Sequence, residues 1–253
     1  MSRISFAPRQ TFGFCLLTLL GLVPMSGCHV ASSGLNAEGT RHYLSGNHTA
    51  AVSRFHEAIQ TDPGNPDSYY NLGATYHQLA KTQGQDEYWS QAENYYHQCL
   101  DRADARGQEH VDCYRALAVL LVDRGQDEDA FTLLRRWTEK RPLSADARVE
   151  LARLHHEFGD EVSEEEHLLA AINLNTTHAR ARSALGHLRE KEGDYSQALA
   201  NYNVSLSSDR IQPQVAARAT TLRAAAVSDP LTPVPVSPAT RIVTAPDLLP
   251  IRR

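Results

Sequence analysis

The sequence predicts an all-α fold, an α-solenoid of about five helical hairpins closed by a C-terminal capping helix. Three observations predict it. Small and bulky residues recur in the same order on a 34-residue frame, the period of a stacked helical-hairpin repeat. Within each frame the bulky residues fall at i, i+3, i+4 and i+7, the spacing of one helix face, and the small ones fall where two helices must approach. Glycine then recurs near the middle of the frame, where a first helix can end in the left-handed conformation before a second begins.

The first frame begins at Ser32, which puts Gly39, Ala51, Phe55, Ala58 and Pro63 at frame positions 8, 20, 24, 27 and 32. The second begins at Pro66, with Tyr69, Leu72, Gly73 and Tyr76 where bulk, bulk, small and bulk are needed. Its second half, Ala92, Tyr96, Cys99 and Leu100, arrives seven residues late. The extra residues lie within Ala80 to Glu87 and are polar (Lys81, Gln83, Gly84, Gln85, Asp86). They amount to nearly two helical turns, so longer helices can absorb them without a loose loop. They read equally as surface decoration or as a contact site.

The third frame starts at Val111 (Tyr114, Leu117, Ala118, Leu121, Ala130, Leu134, Pro142), the fourth at Ala145 (Leu151, Ala152, Leu168, Ala171) and the fifth at Ala179 (Leu185, Gly186, Ala198, Tyr202). Those three starts are 34 residues apart. The turns inside the hairpins read Gly46-Asn47, Gly125-Gln126, Gly159-Asp160 and Gly193-Asp194. Three positions depart from the pattern: Trp137 stands where the third frame needs a small residue, Glu164 where the fourth needs Ala, and Thr176 where Pro is usual. Less regular packing is expected there.

This pattern resembles the tetratricopeptide repeat family over roughly Ser32 to Gln212. The resemblance implies a right-handed solenoid whose concave face is lined by positions 2, 5, 9, 12 and 13 of each first helix and holds a protein or peptide segment. The side chains so placed include Tyr43, Tyr70 and His77 toward one end, then Arg115, Arg153, His156, Arg180, His187 and Lys191. Two tyrosines and a histidine offer flat contact area of low conformational entropy. Arg153, Arg180 and Lys191 are suited to a partner's carboxylate or acidic segment. The carboxylate clamp by which some relatives hold chaperone tails is missing, because no Lys stands at position 5 and no Asn at position 9.

The first residues decide the expected location. Arg3 and Arg9 precede an apolar run from Thr11 to Val23, which is too short for a membrane span of about 20 residues and fits a secretory signal. The run closes on Ser26-Gly27-Cys28, which resembles the lipobox of bacterial lipoproteins. That resemblance implies cleavage after residue 27 and a lipid on Cys28, with more than one acyl chain giving a stable membrane anchor. His29 in place of the inner-membrane retention Asp points to the outer membrane, with the body facing the periplasm. The expected organisation is a signal over 1–27, the repeat array over 28–212, a capping helix over 213–227 and a Pro-rich tail over 228–253.

Removing the signal takes away Arg3 and Arg9 and no acid, so the mature chain is more acidic than the formal −5 of the whole. That balance argues against nucleic acid, which calls for a basic patch. Cys15 leaves with the signal, so Cys99 and Cys113 remain as a disulfide candidate between neighbouring helices of repeats two and three. The alternative is that Cys99 is a small buried residue at a small-residue position.

No Gly-rich phosphate loop, His-Glu-x-x-His or nucleophile elbow occurs in the sequence. Twelve histidines invite a metal reading, and His156, His167 and His187 can approach one another, yet no Cys or carboxylate completes a ligand spacing. Neither cofactor, metal nor small-molecule substrate is expected.

Past the fifth frame, residues 213–227 read as one more helix, which covers the apolar end of an open solenoid. Six prolines after Ser228 rule out a packed helix there. The tail reads as disordered, or as carrying a short binding motif at Arg241 to Thr244 and Asp247 to Ile251. The function expected from these features is a non-enzymatic, lipid-anchored scaffold that binds protein segments. The size, lipobox and repeats also look similar to pilotin-type lipoproteins of type IV pilus biogenesis, an analogy of architecture alone.

Overall fold

The computed structural model describes residues 26–228, and all its regular structure there is helical. Five hairpins follow one another: α1 (Ser26–Leu44) with α2 (His48–Thr61), α3 (Pro66–Gln83) with α4 (Asp86–Ala105), α5 (Val111–Asp123) with α6 (Asp127–Lys140), α7 (Ala145–Glu157) with α8 (Glu161–Leu174), and α9 (Ala179–Lys191) with α10 (Tyr195–Ser208). A last helix, α11 (Pro213–Ser228), packs on α10 through Ala219 and Leu222 against Ala198 and Tyr202. The leader expected over 1–27 lies outside the described residues apart from its last two. So does the Pro-rich tail beyond residue 228, and the side chain of Cys28 is not among those described.

The frame read from the sequence coincides with the helices. α3, α5, α7 and α9 begin at Pro66, Val111, Ala145 and Ala179, the frame starts themselves, whereas α1 begins at Ser26, ahead of Ser32. At the end of α5, Gly125 has a φ of 71°, and its N–H meets the Val122 carbonyl at 2.9 Å. The next N–H, of Gln126, reaches back to Leu121 at 2.8 Å, the hydrogen-bond pair that closes a helix through a left-handed residue. The late second half of repeat two is absorbed as expected by length: α3 has 18 residues and α4 has 20, against 13 or 14 in each helix of the last three hairpins.

Frame positions 8 and 24 meet inside the hairpins. A methyl added at Gly73 would lie 2.7 Å from the Tyr96 ring, and one at Gly186 equally close to Tyr202. Both rings are buried, so neither can swing away. Gly186→Ala is therefore expected to cost about 1–3 kcal/mol through overpacking, more than the roughly 1 kcal/mol that Ala gains over Gly in a helix. Gly34, in α1, has nothing within 4 Å of the same methyl. Gly34→Ala is expected to stabilise by up to about 1 kcal/mol. Urea midpoints of the two variants check the pair, and a shift in the same direction for both would refute the packing argument.

The core is not one block. Residues of α3 to α7 form the largest cluster, Tyr43, Ala51, Phe55 and Leu72 a second, Val149 to Leu188 a third, and the α10–α11 contact a fourth. Each hairpin packs on its neighbours, as in any solenoid. Of the three departures from the frame, Thr176 is exposed and the other two are buried. Trp137 stacks on Tyr114 at 4.1 Å between ring centres and donates its indole N–H to Glu109 at 2.6 Å. Glu164, in a position that elsewhere holds Ala, is buried and accepts from His156 at 2.8 Å.

The structure has no bond between the disulfide candidates Cys99 and Cys113. Both are buried free thiols, and the Cys113 thiol donates to the Tyr96 carbonyl at 3.2 Å. Burial, together with the neighbouring Cys113, pushes the Cys99 thiol well up, as befits a packing residue.

Candidate functional site

First helices touch first helices from one hairpin to the next, α1 to α3, α3 to α5 and α5 to α7. They form the inner face of the array, and the side chains that the resemblance assigned to a binding groove lie along it. Their environments differ from the expectation in two ways.

At the first end, the aromatic residues are inside the protein. Tyr43 is 2% exposed, Tyr70 0% and His77 1%. Tyr70 packs between Tyr96 and the His110 ring, 5.2 Å away on the next hairpin. His77 crosses the same junction, with Nε2 at 3.0 Å from the Asp123 carboxylate and Nδ1 at 3.5 Å from the Tyr96 hydroxyl. Burial lowers the His77 pKa, and the bond to Asp123 only partly opposes this. These three side chains join repeats and are not an open contact surface. The reason is geometric: bulky residues on adjacent first helices fill the seam between them, which a single-helix projection places at the surface.

At the other end, the cations are already occupied. Glu150, on α7, is fully buried and receives Arg115 from α5 at 2.7 and 2.8 Å. It also receives Arg153 from its own helix at 3.2 Å and Arg180 from α9. Arg115 further holds Asp112, Arg153 holds Glu157 and Arg180 holds Asp146. Burial by itself raises the Glu150 carboxyl, but the guanidinium groups of Arg115 and Arg180 outweigh it and hold the group at about 2. A bond from His178, with Arg180 alongside, holds Asp146 at about 2 against its burial. The basic end expected from the sequence is thus a closed network of three arginines and their acids.

The remaining candidates lie near the last hairpins. His156 is half-buried on Glu164, which raises its pKa against the effect of burial. His187 is buried 6.2 Å from His156, while His167 stacks on His155 instead. No group of three metal-ligating side chains exists among the described residues. Lys191, 54% exposed, pairs with Glu161 at the rim. Three residues were missed by the sequence reading. Glu150 stands at frame position 6, outside the lining set, and no spacing marks it. His110 and His178 do carry a signal: each immediately precedes a frame start and faces the Asp at position 2 of the previous frame.

The family model described as TPR repeat matches residues 39–79, and the one described as Tetratricopeptide repeat matches residues 111–154. The protein carries tetratricopeptide repeats. BBSome complex member BBS4 of Bos taurus is 25% identical to this chain over 162 residues, 64% of its length. The match spans only 29% of that relative. The thermophilic TPR protein TTC0263 of Thermus thermophilus is similar in structure, with a TM-score of 0.54 at 22% identity over 77% of this chain and 100% of that one. Pseudomonas aeruginosa pilF has a TM-score of 0.53 at 15% identity, over 79% of this chain and 86% of that one. At those identities the likeness concerns the fold, an α-solenoid of tetratricopeptide hairpins, which as a class serves protein–protein interaction.

Proposed function

We propose that this protein is a lipid-anchored, non-enzymatic scaffold of the bacterial outer membrane that holds protein segments on the periplasmic side. The observation that carries the binding part is the stacking of first helices into one continuous inner face, the surface that tetratricopeptide arrays offer to partners. Because Tyr70 is sealed into a junction and Arg153 is bound to acids, contact with the partner falls to the accessible side chains Glu157, Glu161, Lys191 and His156. The anchor rests on Cys28 at the end of the leader's apolar run. None of the described helices is long and apolar enough to cross a membrane.

Two experiments test this function. Cys28→Ala is expected to move the protein from the membrane pellet to the soluble periplasmic fraction, and unchanged membrane retention would remove the lipid from the account. A photoreactive side chain placed in cells at His156, Glu157 or Lys191 is expected to trap a discrete protein. Placed at Glu128, exposed on α6, it is expected to trap none. Capture from Val243 in the tail alone would make the array a spacer. Recovery of a pilus or secretion-machinery component would narrow the scaffold to an assembly factor.

A further inference from the structure

Two helices have histidine at the N-cap, and the two caps are built alike. His110 caps α5 by accepting the Cys113 backbone N–H on Nδ1 at 3.1 Å, and its Nε2 lies 3.2 Å from Asp67 on α3. His178 caps α9 by accepting the Ala181 N–H on Nδ1 at 3.2 Å, and its Nε2 lies 3.2 Å from Asp146 on α7. A nitrogen that accepts a backbone N–H carries no proton, so the ring hydrogen sits on Nε2 and is donated to the aspartate. Each ring therefore spends both nitrogens, and it can do so only in its neutral form.

The sequence separations in the two pairs, 43 and 32 residues, differ by the seven residues inserted in repeat two and the four added before repeat three. The device is thus the same at both places in the repeat. In the run of first helices from α3 to α9, the other two, α3 and α7, are capped by Asn65 and Ser144, which do not titrate. Histidine caps and caps that do not titrate alternate among these four.

We propose that His110 and His178 are matched, acid-released latches: a second proton on either ring removes the lone pair that caps the next first helix and loosens that junction between repeats. His110 is faced by Asp67 and Tyr70 from α3, by Cys99 from α4 and by Cys113 from α5. Arg106 and Glu109 line the same cleft. His178 is faced by Asp146 from α7, with Arg180 of α9 on that same carboxylate and Glu109 across the cleft. A second proton on either ring has only Nδ1 to go to, because Nε2 already carries the hydrogen donated to the aspartate. Once there, it turns Nδ1 into a donor aimed at a backbone N–H, at the end of a helix that already repels positive charge. Two donors cannot share a bond, so the ring must turn out of the cap while keeping its aspartate. Clefts of about 490 Å³ beside His110 and 560 Å³ beside His178 leave room for that turn. The latch does not depend on what the inner face binds.

Hydrogen exchange on the full chain, corrected for the intrinsic effect of pH, separates this device from general acid loosening. Between pH 7.5 and 5.5 the first turns of α5 and α9 are expected to lose protection about fivefold, the worth of one N-cap, while the first turns of α3 and α7 hold theirs. The double variant His110→Asn, His178→Asn keeps an N-cap side chain without a titrating proton, as Asn47 and Asn65 do elsewhere in this chain, and its α5 and α9 are expected to be insensitive to pH over that range. Equal loosening of all four helices, no change at α5 and α9, or a pH response that survives in the double variant would overturn the proposal. Imidazole nitrogen spectra of the unsubstituted protein decide the matter independently of that variant's folding, because a proton arriving on Nδ1 with no loss of protection also overturns it.

Discussion

Glu150→Ala is expected to destabilise the protein by about 3–5 kcal/mol, the effect of removing one partner from a buried ionic network. Arg115, Arg153 and Arg180 converge on this carboxylate from three consecutive first helices, and Glu150 has no exposed surface. Without it, three guanidinium groups keep only Asp112, Asp146 and Glu157, and a cavity opens among them. Because stability in a solenoid is a sum over repeats and their interfaces, the loss falls on repeats three to five, and the urea transition is expected to split or broaden. A single transition with an unchanged midpoint would mean that the network contributes no net stability.

The same network sets the response to acid. The folded-state pKa values of Glu150 and Asp146 lie at about 2, below the ordinary 4.5 and 3.8. A depressed carboxyl contributes stability that is fully present above its ordinary value and is lost as pH falls toward its folded value. Stability is therefore expected to decline between about pH 4.5 and 2, and to decline less in Glu150→Ala.

Trp137→Ala carries the second large effect, about 3–5 kcal/mol, because it empties the largest buried side chain of the core. The indole fills the seam between α5 and α6 by stacking on Tyr114, so the void falls inside the main hydrophobic cluster. Trp137→Phe separates packing from hydrogen bonding. It keeps a ring against Tyr114 and loses the bond to Glu109, whose exposed carboxylate returns to water, so a cost of about 1 kcal/mol is expected. Near-equal losses in the two variants would assign the stabilisation to the Glu109 bond instead.

The candidate site was less legible than the fold. Frame positions 5 and 12 put Tyr43, Tyr70 and His77 on first helices and assigned them to an open groove. They could not tell that the next helix comes close enough to bury those side chains. Counting charge along the inner face found Arg115, Arg153 and Arg180 but missed Glu150, and with it the neutralisation of that end. The two cysteines proposed as a pair are buried free thiols in this structure.

What the sequence determined by itself is local and periodic. The starts of α3, α5, α7 and α9, the left-handed glycine at Gly125, the small residue at Gly186 and the lengthening of α3 and α4 all follow from spacing within one hairpin. Such features repeat, and a repeat makes its own signal visible. Only the tertiary structure decided which groups meet across hairpins: Glu150 with three arginines, His110 with Asp67, and His178 with Asp146. Those partners sit tens of residues apart, and their contact depends on how far each hairpin rotates on the last. Side-chain volumes packed in three dimensions set that rotation, and no one-dimensional spacing records it.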